Sequence, residues 1–181
     1  MNENYARDIG RKVKAAMRAK SSQKLAIGNP PYGYKRSEND KNLWVIDEEA
    51  ADIVKWIFKK RLERGITWIE RELRHKKIPK PALYAKTNGL KKGNKEILGD
   101  CIWTHSTVDN ILKNPAYCGD IVNFKTFQKF KVKKVFKNET ENMEVYKDVH
   151  EAIISREDFE EVQKTFTSKP GKPRVIEISE V

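Results

Sequence analysis

Apolar residues recur at helical spacing in several separate stretches of the chain. The first stretch covers residues 4–24 and has an apolar side chain at every fourth position, at Tyr5, Ile9, Val13 and Met17. Arginine and lysine fill the other faces, which predicts an amphipathic helix with a narrow apolar stripe. Such a helix is not stable alone and needs a partner helix or a polyanion. Residues 28–34 are rich in glycine and proline and predict a rigid connector.

A short strand and a helix are predicted next. Residues 43–46 are apolar and predict the strand, after which Asp47 serves as the N-cap of a helix that ends near Arg64. Glu48 and Glu49 then lie in the first turn, where the helix dipole favours acidic side chains. The apolar face of this helix consists of Ile53, Val54, Ile57, Phe58 and Leu62.

A second capped helix is predicted directly afterwards. Thr67 and Glu70 have the spacing of a capping box, which predicts the helix start. The side chains expected to point inward are Trp68, Ile69 and Leu73. Pro79 stops this helix, and residues 80–101 then predict a long polar loop whose lysines include Lys91 and Lys92. A basic loop of this length favours a flap that faces phosphates.

Residues 104–113 predict a short helix with two chemically different faces. Thr104 is its N-cap, and Pro115 prevents its continuation. The core side is formed by Val108, Ile111 and Leu112. The side chains left outward are His105, Ser106, Thr107, Asp109, Asn110 and Lys113.

The last third of the chain is predicted to be rich in strands. Lysine and apolar residues alternate in part over residues 129–137, which predicts a strand with one cationic, solvated face. A polar turn at 138–142 leads to a returning strand at 143–149. Ser155 with Asp158 then caps a last amphipathic helix carrying Phe159, Val162 and Phe166.

The order of these elements predicts a helix-rich α+β fold that resembles a winged helix-turn-helix domain with a β-hairpin. In that motif the last helix lies in the major groove of DNA, and the hairpin touches the backbone or the minor groove. The chain divides into an N-terminal arm at residues 1–26, a DNA-binding domain at 27–168 and a tail at 169–181.

Composition supports a polyanionic partner. The 181 residues carry a net charge of +11, and the charge is clustered along the chain. Nucleic acid is favoured over a membrane surface, since neither a signal peptide nor a membrane-spanning stretch is visible. We therefore expect a nucleic acid, either DNA or RNA, as the partner of this chain.

The sequence predicts neither a metal nor a cofactor. Cys101 and Cys118 are far apart and lack the spacing of a zinc motif. We therefore expect two buried free thiols, and a disulfide between them is the alternative. The three histidines are His75, His105 and His150. Serines lie at caps, linkers and tails, and no nucleophile motif or converging carboxylate set is present.

The residues suited to DNA fall into two groups. Asn110 suits adenine, and His105, Ser106 and Thr107 also suit base edges. Phosphate contacts, which set affinity and its salt dependence, are predicted for Lys113, Lys125, Lys129, Lys131, Lys133 and Lys134. Asp109 is a poor neighbour for phosphate and either reads cytosine or points away.

An ordered set of short motifs resembles the recombinase domain of large serine recombinases, the family of phage integrases and serine transposases. The matching segments are 28–34 (GNPPYGY), 45–50 (VIDEEA), 65–67 (GIT), 78–79 (IP), 103–108 (WTHSTV), 111–119 (ILKNPAYCG) and 150–154 (HEAII). The resemblance covers roughly residues 5–166. It implies that residues 104–113 form the major-groove helix and that the arm and connector follow the backbone and minor groove, which adds Tyr32, Lys35 and Arg36 to the expected contacts.

In that family a separate resolvase-like domain holds the serine nucleophile, and a zinc-ribbon domain follows the recombinase domain. A long helix links the resolvase-like domain to the recombinase domain, and residues 1–26 would be the C-terminal part of it. The resemblance therefore implies a cytoplasmic, nucleoid-associated protein of bacterial or phage origin. It further implies that the chain binds double-stranded DNA sequence-specifically at one arm of an attachment site, as a monomer and without strand exchange by this chain itself. Other hypotheses remain open at this stage: a stand-alone winged-helix transcription regulator, a small nuclease or strand transferase, and an RNA-binding protein.

Overall fold

The computed structural model describes residues 3–89, 102–128 and 132–167. It begins with a 20-residue helix, α1, at Glu3–Ser22, close to the predicted bounds. The apolar stripe of this helix is exposed, including Tyr5 and Met17. Among the described side chains of α1, only Ser21 is buried, so the helix is seated on the rest of the domain through its last turn.

A small hairpin follows the connector. Strand β1, Tyr34–Arg36, pairs antiparallel with β2, Trp44–Ile46, in the register that places Tyr34 opposite Ile46. Helix α2, Glu48–Glu63, begins at the predicted point. Its N-cap position is Asp47, but the expected capping hydrogen bond is not made. The Asp47 carboxylate instead accepts a hydrogen bond from the Tyr84 hydroxyl at 3.0 Å, because tertiary packing brings that donor within reach.

The predicted start of the next helix was wrong by two residues. Helix α3 spans Ile66–His75 with Gly65, not Thr67, as its N-cap. The Gly65 carbonyl accepts from the backbone amides of the first turn, so the predicted capping box is not formed. Ile69 and Leu73 are buried as expected, but Trp68 is 39% exposed and lies on the solvent side. Leu62 of α2 is likewise exposed, which corrects the predicted apolar face of that helix.

Part of the predicted polar loop is helical. Helix α4 spans Pro81–Thr87, with proline in the first turn. Proline is favoured there because its missing N–H would have no partner in any case and its φ angle suits a helix. The proline after Lys80 is thus the local signal that the loop prediction overlooked. The rest of the predicted flap, 90–101, lies outside the described residues.

Helix α5 spans His105–Leu112 with Thr104 as its N-cap, as predicted. A short 3₁₀ helix, Pro115–Cys118, follows and ends at Gly119. Gly119 has φ +88°, and a Cβ there would meet the His150 carbonyl oxygen at 2.7 Å, so glycine is required by both conformation and space. This turn redirects the chain from α5 into the strands.

The remaining four strands pair in a nested order, with one hairpin between the two strands of the other pair. The strands are β3, Ile121–Asn123; β4, Thr126–Gln128; β5, Val135–Lys137; and β6, Glu144–Tyr146. Strand β4 pairs with β5, and β3 pairs with β6, so the strands flanking the 138–142 turn are not partners. The predicted long strand at 129–137 is confirmed only at its end, since residues 132–134 are not in a strand and 129–131 are not described.

The last helix, α6, spans Arg156–Thr167. The Ser155 hydroxyl accepts a hydrogen bond from the Asp158 amide at 3.1 Å, which confirms the predicted cap. Helices α2, α3, α5 and α6 enclose one apolar core. Its most completely buried members are Trp103, Tyr117, Ile57, Ile69, Leu73, Leu112, Val54, Val108 and Val162. The α+β class is confirmed, and the winged helix-turn-helix arrangement stays a prediction.

Two further observations concern the described residues only. None of their helices is both long and apolar enough to cross a membrane. Within the same ranges, no group of histidine, cysteine and acidic side chains is arranged to hold a metal ion. Cys118 is a buried free thiol whose pKa burial raises to about 11, whereas Cys101 lies outside the described residues.

Candidate nucleic-acid interface

Helix α5 is held rigidly on one side and exposed on the other. Val108 and Leu112 are completely buried, as befits side chains one helical turn apart on the core face. His105, Ser106 and Asn110 are exposed, with Ser106 and Asn110 on the side of the helix away from Val108 and His105 at its first position. The structure therefore brings three of the predicted base-reading side chains together on one short, firmly packed helix.

Thr107 and Lys113, by contrast, are engaged within the protein. The Thr107 hydroxyl lies 2.9 Å from the Thr104 hydroxyl, and the Thr104 side chain also accepts from the Thr107 amide. The Lys113 ammonium lies 2.8 Å from the Asp109 carboxylate. Asp109 is thus neutralised by a lysine one turn further along the same helix, which answers how an acidic residue is accommodated on this face.

The C-terminal end of α5 is supported by α6. Gln163 donates a hydrogen bond from Nε2 to the Leu112 carbonyl at 2.8 Å, satisfying an acceptor that the helix end leaves open. The Phe166 ring lies under the Lys113 ammonium, 4.6 Å from nitrogen to ring centroid, and under the Arg61 guanidinium at 4.9 Å. These contacts fix the orientation of both the helix end and its terminal lysine.

The N-terminal end of α5 rests on Trp103. This side chain is completely buried, and its indole N–H donates to the Ile78 carbonyl at 2.9 Å. Arg74 of α3 donates from Nε to the Trp103 carbonyl at 3.0 Å. Both ends of the exposed helix are therefore anchored by named hydrogen bonds to neighbouring elements.

A groove lies beside the first turn of α5. It has a volume of about 380 Å³ and runs between the connector, α4 and Thr107. Tyr32 forms one wall, with its ring in edge contact with Tyr84 at 5.4 Å and Trp103 at 5.9 Å between centroids. Burial raises the pKa of Tyr32. Tyr32, a predicted DNA contact, therefore lies in the groove wall, and its ring also packs against Trp103 at the start of α5.

Lys35 and Arg36 occupy the β1 strand but differ in their surroundings. Lys35 is exposed. The Arg36 guanidinium donates to the Gly28 carbonyl at 3.3 Å, to the Asn29 side chain at 3.2 Å and to the Lys41 carbonyl. Arg36 therefore ties the connector to the β1–β2 turn, a role that sequence reasoning did not assign to it.

The β4–β5 hairpin presents lysines at the surface. Phe127 and Phe136 are opposite each other in the register and stack with centroids 5.5 Å apart. Lys133 and Lys134 are exposed beside this pair, and the Lys134 ammonium lies 5.6 Å from the Phe136 centroid. Lys125 precedes the hairpin, with its Nζ 3.4 Å from the Asn114 side chain, and desolvation lowers its pKa. The remaining predicted contacts, Lys91, Lys92, Lys129 and Lys131, lie outside the described residues.

Helix α1 carries a cationic stripe that the sequence reading did not single out. Its members are Arg7, Arg11, Lys14 and Arg18. Spacings of four, three and four residues place them along one side of a helix, away from the apolar stripe that starts at Tyr5. The stripe extends over roughly 16 Å of helix at 1.5 Å per residue. The sequence indicates this stripe through the spacing of its basic residues, whereas the prediction of the helix used the spacing of its apolar residues.

A frame of buried polar contacts holds the segment behind α5 in place. The Tyr34 hydroxyl donates to the Glu151 carbonyl at 2.8 Å and accepts from the Ile153 amide at 3.2 Å. Arg156 contacts Asp120 in a bidentate pair, with the shorter distance 2.7 Å, and this pair lowers the pKa of the Asp120 carboxyl. The frame joins the start of α6 to the turn that follows α5.

His150 packs against Tyr34, at one end of this frame. Its Nε2 lies 2.8 Å from the Ala116 carbonyl and so carries a proton, while its buried Nδ1 finds no hydrogen-bond partner in the described part of the chain. The ring packs edge-on against Tyr34 and Trp44. Desolvation lowers the pKa of His150, because a charged imidazolium would leave the second N–H unpaired among these rings.

We expect the free energy of unfolding to fall as pH drops below about 6.5, the usual histidine value. The sign follows because the folded state has the lower pKa, so the unfolded state binds the proton first. Urea unfolding midpoints measured from pH 8 to pH 5.5 check this. His150→Gln should flatten the dependence, whereas the exposed His105→Gln should retain it. An identical slope in the parent and in His150→Gln would contradict the assignment.

These features define a small basic α+β domain that presents one anchored polar helix beside cationic elements. The Recombinase family profile matches residues 48–169, well over half of the chain. The protein therefore belongs to the Recombinase family, and the match confirms the resemblance to its recombinase domain. No curated protein has significant similarity to this chain.

Two solved structures are similar to the chain. One is an LSR–DNA complex, with 24% identity and a TM-score of 0.48, covering 79% of this chain and 34% of that one. The other comes from work on the sequence requirements of the Listeria innocua prophage attP site, with 23% identity, a TM-score of 0.46 and coverage of 87% and 52%. The chain thus spans about a third to a half of the structures it matches.

Proposed function

We propose that this chain is the DNA-binding region of a site-specific serine recombinase and that it binds one arm of an attachment site as a monomer. In this proposal α5 lies in the major groove. Membership of the Recombinase family and the net charge of +11 support the partner class.

The observation that carries the proposal is the contrast between the two faces of α5. Val108 and Leu112 lock the helix to the core, while His105, Ser106 and Asn110 project from it. A rigid helix loses little conformational entropy when its exposed side chains bind base edges. Asparagine is the residue type that forms a bidentate pair with adenine, which makes Asn110 the leading base-reading residue.

The cationic elements suit a backbone-positioning role. Lys133 and Lys134 on the hairpin are point charges, and the basic side chains of the α1 stripe are of the types that contact phosphate oxygens. The stripe's length of roughly 16 Å corresponds to about five base pairs along the duplex. The arm and the hairpin would therefore set register and affinity, and α5 would set specificity.

Selection of duplexes from a random pool tests the specificity. The chain is titrated by fluorescence anisotropy against the selected duplex and against a scrambled duplex of the same composition. We expect the selected site to bind at least about tenfold more tightly. Equal affinity for both duplexes would remove the proposed site recognition, and tighter binding to structured RNA would replace the partner class.

Replacing Lys133 and Lys134 together with alanine should weaken binding to all duplexes by the same factor. Each lost phosphate contact should reduce the slope of log affinity against log salt by about 0.9, because fewer counterions are released. Anisotropy titrations at several salt concentrations measure this slope. The matched control removes the same charge from the outer face of α2 through Lys55→Ala with Lys59→Ala, and an equal change in slope there would contradict a role for the hairpin.

Binding without bond breakage is the proposed role of this chain alone. Supercoiled plasmid incubated with the purified chain and magnesium should stay intact. The appearance of nicked circles, absent from a heat-denatured control, would assign a cleavage activity to the chain and overturn this part of the proposal.

A further inference from the structure

Helix α1 joins the domain through polar contacts rather than through apolar packing. Its apolar residues from Tyr5 to Met17 remain at least 40% exposed. Ser21, in the last turn, is completely buried. The direction in which this 20-residue helix projects is therefore set at one end, by the groups around Ser21.

Asn123 contacts three different points at that end. Its Nδ2 donates to the Ser21 hydroxyl at 2.8 Å and to the Leu25 carbonyl at 2.9 Å. Its Oδ1 accepts a hydrogen bond from the Ile27 amide at 3.1 Å. One carboxamide thus joins the last turn of the helix, the residues after it and the start of the connector.

The paired strands hold both sides of this junction. Asn123 of β3 is directly opposite Glu144 of β6 in the register. The Ser21 hydroxyl donates to the Glu144 carboxylate, which also accepts from the Tyr146 hydroxyl at 2.9 Å. These hydrogen bonds lower the pKa of Glu144, so it remains ionised and able to accept both. Asn123 is 4% exposed, which shields its own hydrogen bonds from competing water.

We propose that Asn123 is a positioning residue that fixes the direction of α1, so that the cationic stripe and α5 reach one continuous stretch of duplex. The inference rests on the proposed function for its DNA consequence. A carboxamide with directional donors and an acceptor restrains an angle, whereas a general apolar contact would allow the helix to pivot. Loss of the Asn123 hydrogen bonds would allow α1 to pivot about its last turn.

The direction of α1 is testable without DNA. Spin labels at Lys14→Cys and Glu160→Cys, in a Cys101→Ser background, report the distance between α1 and α6. Cys118 is buried with a raised thiol pKa and does not compete for the label. Double electron–electron resonance should show one narrow distance distribution in the parent. Asn123→Asp keeps the shape and the acceptor but loses both donors, and it should broaden the distribution.

Ser21→Ala and Ser22→Ala form a matched pair. Ser21 contacts Asn123 of β3, whereas the partner of the neighbouring Ser22 hydroxyl within the described residues is the Ala19 carbonyl of its own helix. Ser21→Ala should broaden the distance distribution and Ser22→Ala should not. If Asn123→Asp fails to fold, as judged by circular dichroism, this pair decides. A distribution that stays as narrow in Ser21→Ala as in the parent overturns the proposal.

A second readout separates positioning from general destabilisation. Affinity is measured for two duplexes. The short one covers the α5 contacts alone, and the long one is extended by about half a turn to reach the cationic stripe of α1. Asn123→Asp should keep its affinity for the short duplex and lose about tenfold on the long one, because a hinged arm has a lower effective concentration at its phosphates. Equal losses on both duplexes would overturn the positioning role. If the parent binds neither duplex, the proposed function is wrong. The distance distributions still decide whether Asn123 fixes the direction of α1.

Discussion

Replacing Trp103 with alanine is expected to lower the free energy of unfolding by about 3–5 kcal/mol. The side chain is completely buried, so truncation leaves a large cavity beside α5. The change also removes the donor to the Ile78 carbonyl and the edge contact with Tyr32. Urea unfolding followed by circular dichroism measures the loss.

Trp68→Ala provides the matched control, because Trp68 is 39% exposed. It stacks on Trp56 and lies under the Arg64 guanidinium, contacts worth about 1 kcal/mol at an exposed site. A loss for Trp68→Ala as large as that for Trp103→Ala would contradict the assigned core. Trp103→Phe separates the two causes, since it restores most of the volume but leaves the Ile78 carbonyl without its donor.

Replacing Asn110 with alanine is expected to reduce discrimination between the selected and scrambled duplexes by about 1–3 kcal/mol. Asn110 is exposed on α5, so the thermal unfolding midpoint should stay unchanged. The expected signature is a loss of affinity for the selected site with little change for the scrambled one. Competition titrations at fixed salt measure both affinities.

Asn142→Ala is the control for this substitution, since Asn142 is an exposed asparagine in the Thr140–Asn142 3₁₀ helix. It should leave discrimination intact. The lysine pair on the hairpin should behave differently again, lowering both affinities together. If Asn110→Ala also weakens both duplexes equally, α5 is not the reading helix and the major-groove assignment is wrong.

Helix α5 illustrates how much of the structure local sequence patterns predict. Thr104 caps α5 and Ser155 caps α6, as their spacing from the following residues predicted. Val108 and Leu112 are buried because both belong to one helical face. These features depend on hydrogen bonds and periodicity within three or four residues, and the sequence displays such relationships directly.

Two of the predicted capping interactions are not formed. Thr67 matched a capping box, but Gly65 supplied an earlier and sufficient cap through its backbone. Asp47 was placed correctly at the start of α2, yet its side chain bonds to Tyr84 on α4 instead of to its own helix. The choice between a local and a distant partner depends on which donor the fold brings near, and that distance is not encoded in residue spacing.

By itself, the sequence determined the α+β class, the two-faced helix at 104–113, the basic character and the family. Only the tertiary structure decided that β3 pairs with β6 around the β4–β5 hairpin, that Arg36 is engaged with the connector and that Asn123 holds the end of α1. The physical reason is the separation along the chain. Helix faces and caps are fixed by neighbours, whereas strand pairing and buried polar contacts select among many distant partners of similar chemistry.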